Sequence, residues 1–282
     1  MAQVGELTVR ARCRVVVDND WSGDPDGLVA LAHHLLSPAN RVVAVTSAFL
    51  NPRFPTSHSR AADGAAVADE LLDQLALAVR PPVYTGAEQP IDAGAAASPA
   101  SEAIAAEASR ADGQPLYVAC GGPLTNVAAA VRAAPDIAGR MTVLWIGGAL
   151  AEGRFEYNYD TDRDAADFVL GHPELAVYQF PVETYRRCAY SVAELAGDLQ
   201  ACGRLGAWLW RRFTRPLPDW VELGEVWPLG DSPPVLVTAL TDESSSYAAS
   251  STPGGAERRV YTDVDFRLLV ADMLAKFRRH GH

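Results

Sequence analysis

RVVVDNDWSGDPDGLVAL, residues 14–31, holds a structural boundary and a charge problem together. Val15, Val16 and Val17 read as a short buried strand, and GLVALAHHLL (27–36) reads as a helix with an apolar face. Between them lie Asp18, Asp20, Asp24 and Asp26. Some of these acids have an ordinary explanation, because aspartate is common in turns and at helix N-termini, where the helix dipole favours negative charge. That accounts for Asp24-Pro25-Asp26-Gly27. It does not account for Asp18 and Asp20 at the end of an apolar strand. Like charges at such a turn are costly unless neutralised, and hard divalent cations take oxygen ligands. Open α/β sheets also bind ligands beyond the carboxyl ends of their strands.

Outward from this stretch, strand-like and helix-like segments alternate. The strand-like ones are 41–50, 81–86, 115–122, 141–150 and 175–182. The helix-like ones are 59–79, 101–111, 123–134, 162–171 and a long run over 193–213. The alternation predicts an α/β fold, a mostly parallel central sheet flanked by helices and Rossmann-like in plan. Two stretches read as loops, IDAGAAASPASE (91–102) and the Ser/Gly-rich DESSSYAASSTPGGAERR (242–259). RRVYTDVDF (258–266) then reads as a strand, and the amphipathic FRLLVADMLAKFRRHGH (266–282) as a closing helix. No internal repeat or long linker divides the chain, so a single domain over residues 1–282 is expected.

Nearly half of the 282 residues are hydrophobic, enough for a sizeable core, and the formal net charge is −11. That balance argues against a nucleic-acid partner. The four cysteines have no CxxC spacing, which argues against structural zinc and a disulfide framework. No run has the length of a membrane span or a signal-peptide core, so no membrane partner and a cytoplasmic setting are expected.

Polar residues recur where predicted strands end: Asn51, Gly121-Gly122 before Pro123-Leu124-Thr125-Asn126, then Glu156, Asn158 and Asp162, and Asp231 in WPLGDSPPVLV. Each alone is an ordinary turn former. Together they put acidic and amide groups on one rim of a parallel sheet. DNDWSGDPDGLVAL resembles the DxDPGxDDxxAL signature of the inosine–uridine-type nucleoside hydrolases. The resemblance continues through Asn51, GGPLTNVAAAV (121–131), IGG (146–148), EYN (156–158), DRDAA (162–166), GDSP (230–233) and VDF (264–266), in order and over nearly the whole chain.

The resemblance implies hydrolysis of the N-glycosidic bond of ribonucleosides, with one Ca²⁺ at the base of the pocket. Asp20 falls on the aspartate that binds the metal and accepts a proton from its water. Asp26, Asp231 and the Gly121 carbonyl fall on the other metal ligands. Asp24, Asn51, Glu156 and Asn158 fall on sugar contacts, and Asp18 on a supporting acid. Trp21, Trp227 and Tyr157, with Tyr159, sit in predicted rim loops, where an aromatic ring can stack on a base. The resemblance also implies a homodimer or homotetramer. The alternative is a member of the same fold that binds a ribosyl or sugar group without cleaving it. A phosphatase built on Asp18-x-Asp20 ranks last, since the one lysine is Lys276 in the closing helix.

Three departures stand out. Pro25 interrupts the paired aspartates. Gly230 stands where many members carry a histidine placed to protonate the leaving base; of the histidines here only His58 falls near the expected rim. The stretch between Gly148 and Glu156 is also short.

Overall fold

The computed structural model describes residues 2–4, 7–54, 56–91, 97–215 and 223–281. A small antiparallel hairpin, β1 (Ala2–Val4) with β2 (Leu7–Val9), comes first. The acid-rich stretch follows as expected. β3 (Cys13–Asn19) is buried along its whole length, and after a turn α1 (Asp26–Leu35) begins at Asp26. The chain continues through β4 (Asn40–Ser47), α2 (Ala61–Leu75), β5 (Val83–Thr85), α3 (Pro99–Ser109), β6 (Leu116–Cys120), α4 (Thr125–Ala133) and β7 (Thr142–Ile146). Next come α5 (Tyr157–Thr161), α6 (Arg163–Gly171), β8 (Ala176–Phe180), α7 (Val182–Tyr185), β9 (Ala189–Ser191), α8 (Val192–Gln200) and α9 (Gly203–Phe213). β10 (Val226–Pro228), α10 (Pro234–Thr238), β11 (Ser246–Ser251), β12 (Glu257–Asp263) and α11 (Phe266–Gly281) complete it.

The central sheet runs β11-β12-β8-β7-β6-β3-β4-β5. All neighbours are parallel except β11 with β12. From β3 the chain winds outward through β4 and β5, then returns to β6 on the other side of β3. The carboxyl ends of β3 and β6 therefore flank the topological switch point, where an open α/β sheet has its ligand crevice. Strand alternation sets the layers. Val15 and Val17 pack among residues of α1, α2, α9 and α11, whereas Val16 joins Val118, Val143 and Val177 among residues of α3, α4 and α6. A strand buried on both faces needs an unbroken apolar run, which is why VVV marks the centre of the sheet.

Three expectations need correction. The run 193–213 is two helices: the backbone turns at Ala201-Cys202, and Gly203 takes the left-handed φ of +64° that starts the second. The stretch 242–259 is not all loop, because β11 and the start of β12 lie in it; an edge strand exposed on both faces needs no apolar pattern. Of the loop expected over 91–102, residues 92–96 lie outside the described residues, and α3 already starts at Pro99. Among the described residues no helix is long and apolar enough to cross a membrane. The cysteines are free and buried.

The two histidines of α1 are core residues. His33 Nε2 lies 2.7 Å from Asp272 Oδ2, and His34 Nδ1 accepts from Asn40 Nδ2 at 3.2 Å. Burial, then the charges of His33 and Lys276, push His34 down to about 3. Below the ordinary histidine value the unfolded chain takes up a proton that folded His34 refuses, so this residue lowers stability as pH falls from about 6.5 toward about 3, by up to about 1.4 kcal/mol per pH unit. Urea unfolding of the wild type and His34→Gln across that range should show a stability difference that closes as the medium becomes more acid. A constant difference would refute the assignment.

Candidate active site

The expected acids meet at the switch point. Asp18 is fully buried at the end of β3, its Oδ1 accepting from Thr46 Oγ1 (2.5 Å) on β4 and Asn126 Nδ2 (2.8 Å) at the start of α4, its Oδ2 from Cys120 Sγ (3.4 Å) on β6. It ties three elements together. Asp20, one strand alternation further, is 9% exposed. Burial, then the charges of Asp231, Asp24 and Asp18, raise its carboxyl well above the usual range. Asp26 opens α1, is also buried, and accepts from the Asp231 main-chain N–H through Oδ2 (3.0 Å). It too is raised, by burial and then by Asp231 and Asp24. Asp231, in the turn between β10 and α10, is pushed up to about 7, first by burial and then by Asp24 and Glu156, against a hydrogen bond from Asn19. Asp24 is exposed at the rim, and its Oδ1 accepts from Trp227 Nε1 at 2.9 Å.

Pro25 is thereby explained. It occupies the N-cap position of α1, so Asp24 stays outside the helix against Trp227 while Asp26 enters it against Asp231. The inserted residue divides a pair of acids between wall and floor.

Asn19 is a site residue that the sequence reading passed over. Its Nδ2 donates to Asp231 Oδ2 (2.8 Å) and its Oδ1 accepts from the Asp20 main-chain N–H (2.8 Å). Space around it is tight: a Cβ on Gly27 or on Gly121 would come within 2.5 Å of Asn19 Nδ2. Its place between two aspartates in D-N-D was the available signal.

The expected sugar contacts are near but occupied. Glu156 caps α5 and accepts from the main-chain N–H groups of Gly148 (2.7 Å), Asn158 (3.2 Å) and Tyr159 (2.9 Å) and from the Tyr185 hydroxyl (3.0 Å). Asn158 Nδ2 donates to the carbonyls of Gly121 (2.9 Å) and Ile146 (2.8 Å). Asn51 donates through Nδ2 to Asp160 (3.1 Å), accepts from the Arg53 N–H (2.9 Å), and gives its own N–H to the Tyr157 hydroxyl (3.0 Å). Asp162 accepts from Thr125 Oγ1, Ile91 N and Ala165 N, a clasp between loops rather than a ligand group.

The aromatic expectations divide. Trp21 is only 2% exposed and donates its Nε1 to the Thr46 carbonyl, so it is a core residue and presents no face to a ligand. Tyr159 turns its hydroxyl away to Asp167. Burial, then the charges of Asp20 and Asp24, raise the Tyr157 phenol. Trp227 forms the wall between Asp24 and an apolar cavity of about 290 Å³ lined by Leu195, Trp210, Phe213 and Leu223 among others.

No histidine among the described residues contacts the acids. The ring of Tyr185 stands against Gly230: a Cβ there would meet Tyr185 Cδ2 at 2.9 Å and Asp26 Oδ2 at 3.5 Å. Gly230→His should therefore cost about 1–3 kcal/mol by overpacking, measured by urea unfolding. Adding Tyr185→Ala should recover most of that loss. An uncrowded Gly230→His with wild-type stability would show that Tyr185 does not fill this space.

Among the described residues none of the five acids has a cationic partner, and the atoms they offer to a ligand are carboxylate oxygens. That chemistry fits a hard divalent cation. No three His, Cys, Asp or Glu side chains among the described residues already stand in a metal-holding group. The Asn19 amide and the Asp231 N–H each take up one oxygen of the cluster.

A buried acid cluster at the carboxyl end of a parallel sheet, beside an apolar cavity, defines a small-molecule enzyme of the α/β class. Residues 15–267 match the model of the inosine-uridine preferring nucleoside hydrolase family, and the chain belongs to that family, a hydrolase acting on nucleosides. A comparison with curated protein sequences gives no match. Among solved structures, the plant nucleoside hydrolase PpNRh1 is similar at 19% identity and a TM-score of 0.74, over 95% of this chain and 99% of that one. A purine-preferring ribonucleoside hydrolase from Gardnerella vaginalis is similar at 17% identity and a TM-score of 0.66, over 95% and 99%. The type III effector protein XopQ, complexed with adenosine diphosphate ribose, is similar at 14% identity and a TM-score of 0.67, over 96% and 93%. At these identities the likeness is one of fold.

Proposed function

We propose that the cluster is the catalytic centre of a Ca²⁺-dependent N-ribohydrolase that splits a ribonucleoside into free base and ribose. The observation that carries this reading is the meeting of Asp20, Asp26 and Asp231 at the switch point with no cationic side chain among the described residues to balance them. Asp20, Asp26, Asp231 and the Gly121 carbonyl would hold the cation. When bound, it supplies positive charge that makes a water a better nucleophile near neutral pH. Asp20 accepts the proton of the water that attacks C1′. Asp24, Asn51 and Asn158 hold the ribose hydroxyls, an orientation effect. Glu156 joins them only if the Tyr185 hydroxyl releases it. The base lies toward Trp227 and Tyr157, on the Asp24 side of the Trp227 ring.

Base release from a panel of purine and pyrimidine nucleosides, with and without a chelator, tests the proposal. Turnover that survives metal removal would sink the metal-dependent mechanism.

A second reading is a ribosyl-binding protein without hydrolysis. It is favoured by the internal hydrogen bonds that occupy Glu156, Asn158 and Asn51, and by the lack of any side-chain donor at Gly230. Heat protection by ribose or by adenosine diphosphate ribose, with no base released from any nucleoside, would select it.

A further inference from the structure

We propose that the site takes ribonucleosides whose base already carries a positive charge on its ring, N-alkylated purinium or pyridinium ribosides, and releases that base without an acid; this rests on the hydrolase reading and adds its substrate class. Breaking a C1′–N bond leaves the electron pair on the ring nitrogen. A neutral base then departs as an anion unless a side chain protonates it in the same step. The side chains suited to that are His, Asp or Glu, Lys, Tyr and Cys within hydrogen-bond reach.

Among the described residues, such groups beside the acids are committed elsewhere. The Tyr185 hydroxyl gives its proton to Glu156 Oε1 (3.0 Å), and its ring fills the space over Gly230. The Tyr157 hydroxyl receives the Asn51 N–H (3.0 Å), and a phenolate formed there would stand in the field of Asp20 and Asp24. Glu156 accepts four hydrogen bonds, one for each lone-pair position of a carboxylate, so a proton on it would displace a donor. Asp24 takes the Trp227 N–H on Oδ1 (2.9 Å), a bond that favours the carboxylate. The Cys120 thiol turns to Asp18, and Lys276 pairs with Asp272 in α11. Ser232 Oγ is buried without a partner next to Asp231, but an aliphatic alcohol is too weak an acid to serve.

The charge of the site also opposes an anionic leaving group. Asp18, Asp20, Asp24, Asp26, Asp231 and Glu156 meet with no cationic side chain among the described residues, and six carboxylates exceed the two charges of a divalent cation. A base leaving as an anion is repelled. A cationic base leaves neutral: its positive charge passes from the ring to C1′ as the bond breaks, and the cluster faces a cation throughout. The attacking water bonds to C1′ and gives its proton to Asp20, which passes it to solvent because the base needs none. The rim offers matching faces. Tyr157 stacks with Phe54 (centroids 6.0–6.1 Å apart, counting the Phe54–Phe155 edge contact). These faces already attract a cation, since the Arg53 guanidinium lies 5.9 Å from the ring centroids of both Phe54 and Phe155 while bonded to Asp160.

Base release from 7-methylguanosine and from guanosine, in mildly acid buffer where the methylated ring is a cation, tests this with substrates that differ by one methyl group. 7-Methylguanosine should be favoured in kcat/KM by about 10²–10⁴-fold, the usual worth of the general acid that guanosine lacks here. An enzyme that protonates its leaving base would erase that difference. Nicotinamide riboside, a permanent cation, should also be cleaved. Guanosine cleaved within tenfold of 7-methylguanosine overturns the proposal and leaves the hydrolase reading standing. Release of no base from any of the three removes both. Calorimetric titration of Asp20→Asn reads affinity apart from turnover: 7-methylguanosine should bind about tenfold tighter than guanosine, the scale of one desolvated cation–π contact. Equal affinity also overturns the proposal.

Discussion

Asp20→Asn lowers the rate of base release by about 10³-fold or more while leaving the protein folded, the expected result for loss of a general base at an intact site. The substitution keeps the shape of the side chain and removes its charge. Asp20 lies where burial and three neighbouring carboxylates already oppose ionisation, Asp231 foremost. In chelator, removing one of those like charges relieves repulsion, so the variant should melt no lower than the wild type. The two readouts separate roles. A structural acid, held as Asp18 is by three donors, would lose stability on the same change. An Asp20→Asn variant that turns over within tenfold of the wild type would exclude it as the base.

Chelation should have the second-largest effect. If Asp26, Asp231 and Asp20 hold a cation that the unfolded chain does not bind, Ca²⁺ at a hundredfold excess over its dissociation constant contributes about 2.7 kcal/mol. For a chain of this size that is a melting shift of about 5–10 °C. It should vanish in Asp231→Asn, and magnesium should replace it poorly, because a site of several carboxylates suits the larger ion. Calorimetric titration of the chelated protein reads the same event without reference to turnover. Absence of heat and of any melting shift, with base release intact, would remove calcium from the reaction.

The parts legible in the sequence are those written in local pattern. The Val15–Val17 run marks a strand buried on both faces, and the spacing of apolar residues after Gly27 marks α1. The acids between them could be placed at a strand end, which is where the fold collects its ligands. The parts that were not legible depend on partners remote in the chain. Whether Trp21 faces a ligand or the core is decided by the Thr46 carbonyl waiting for its N–H. That Gly230 is a fitted partner to the Tyr185 ring cannot be read from either residue alone. Asn51, Glu156 and Asn158 are where motif order put them, but their hydrogen-bond partners come from loops of no regular pattern. β11 was hidden because a strand exposed on both faces carries no hydrophobic period.

Asp18 gives the site an unusual dependence on the rest of the molecule. Its carboxylate joins β4, β6 and α4 and is also the acid nearest in sequence to the proposed base. Abundance and activity are therefore separable at Asp24, on the rim, and inseparable at Asp18. In a cell-based screen, substitutions at Asp24 would register as intact but idle protein. Those at Asp18 would register as missing protein, cleared by quality control before any turnover could be assayed.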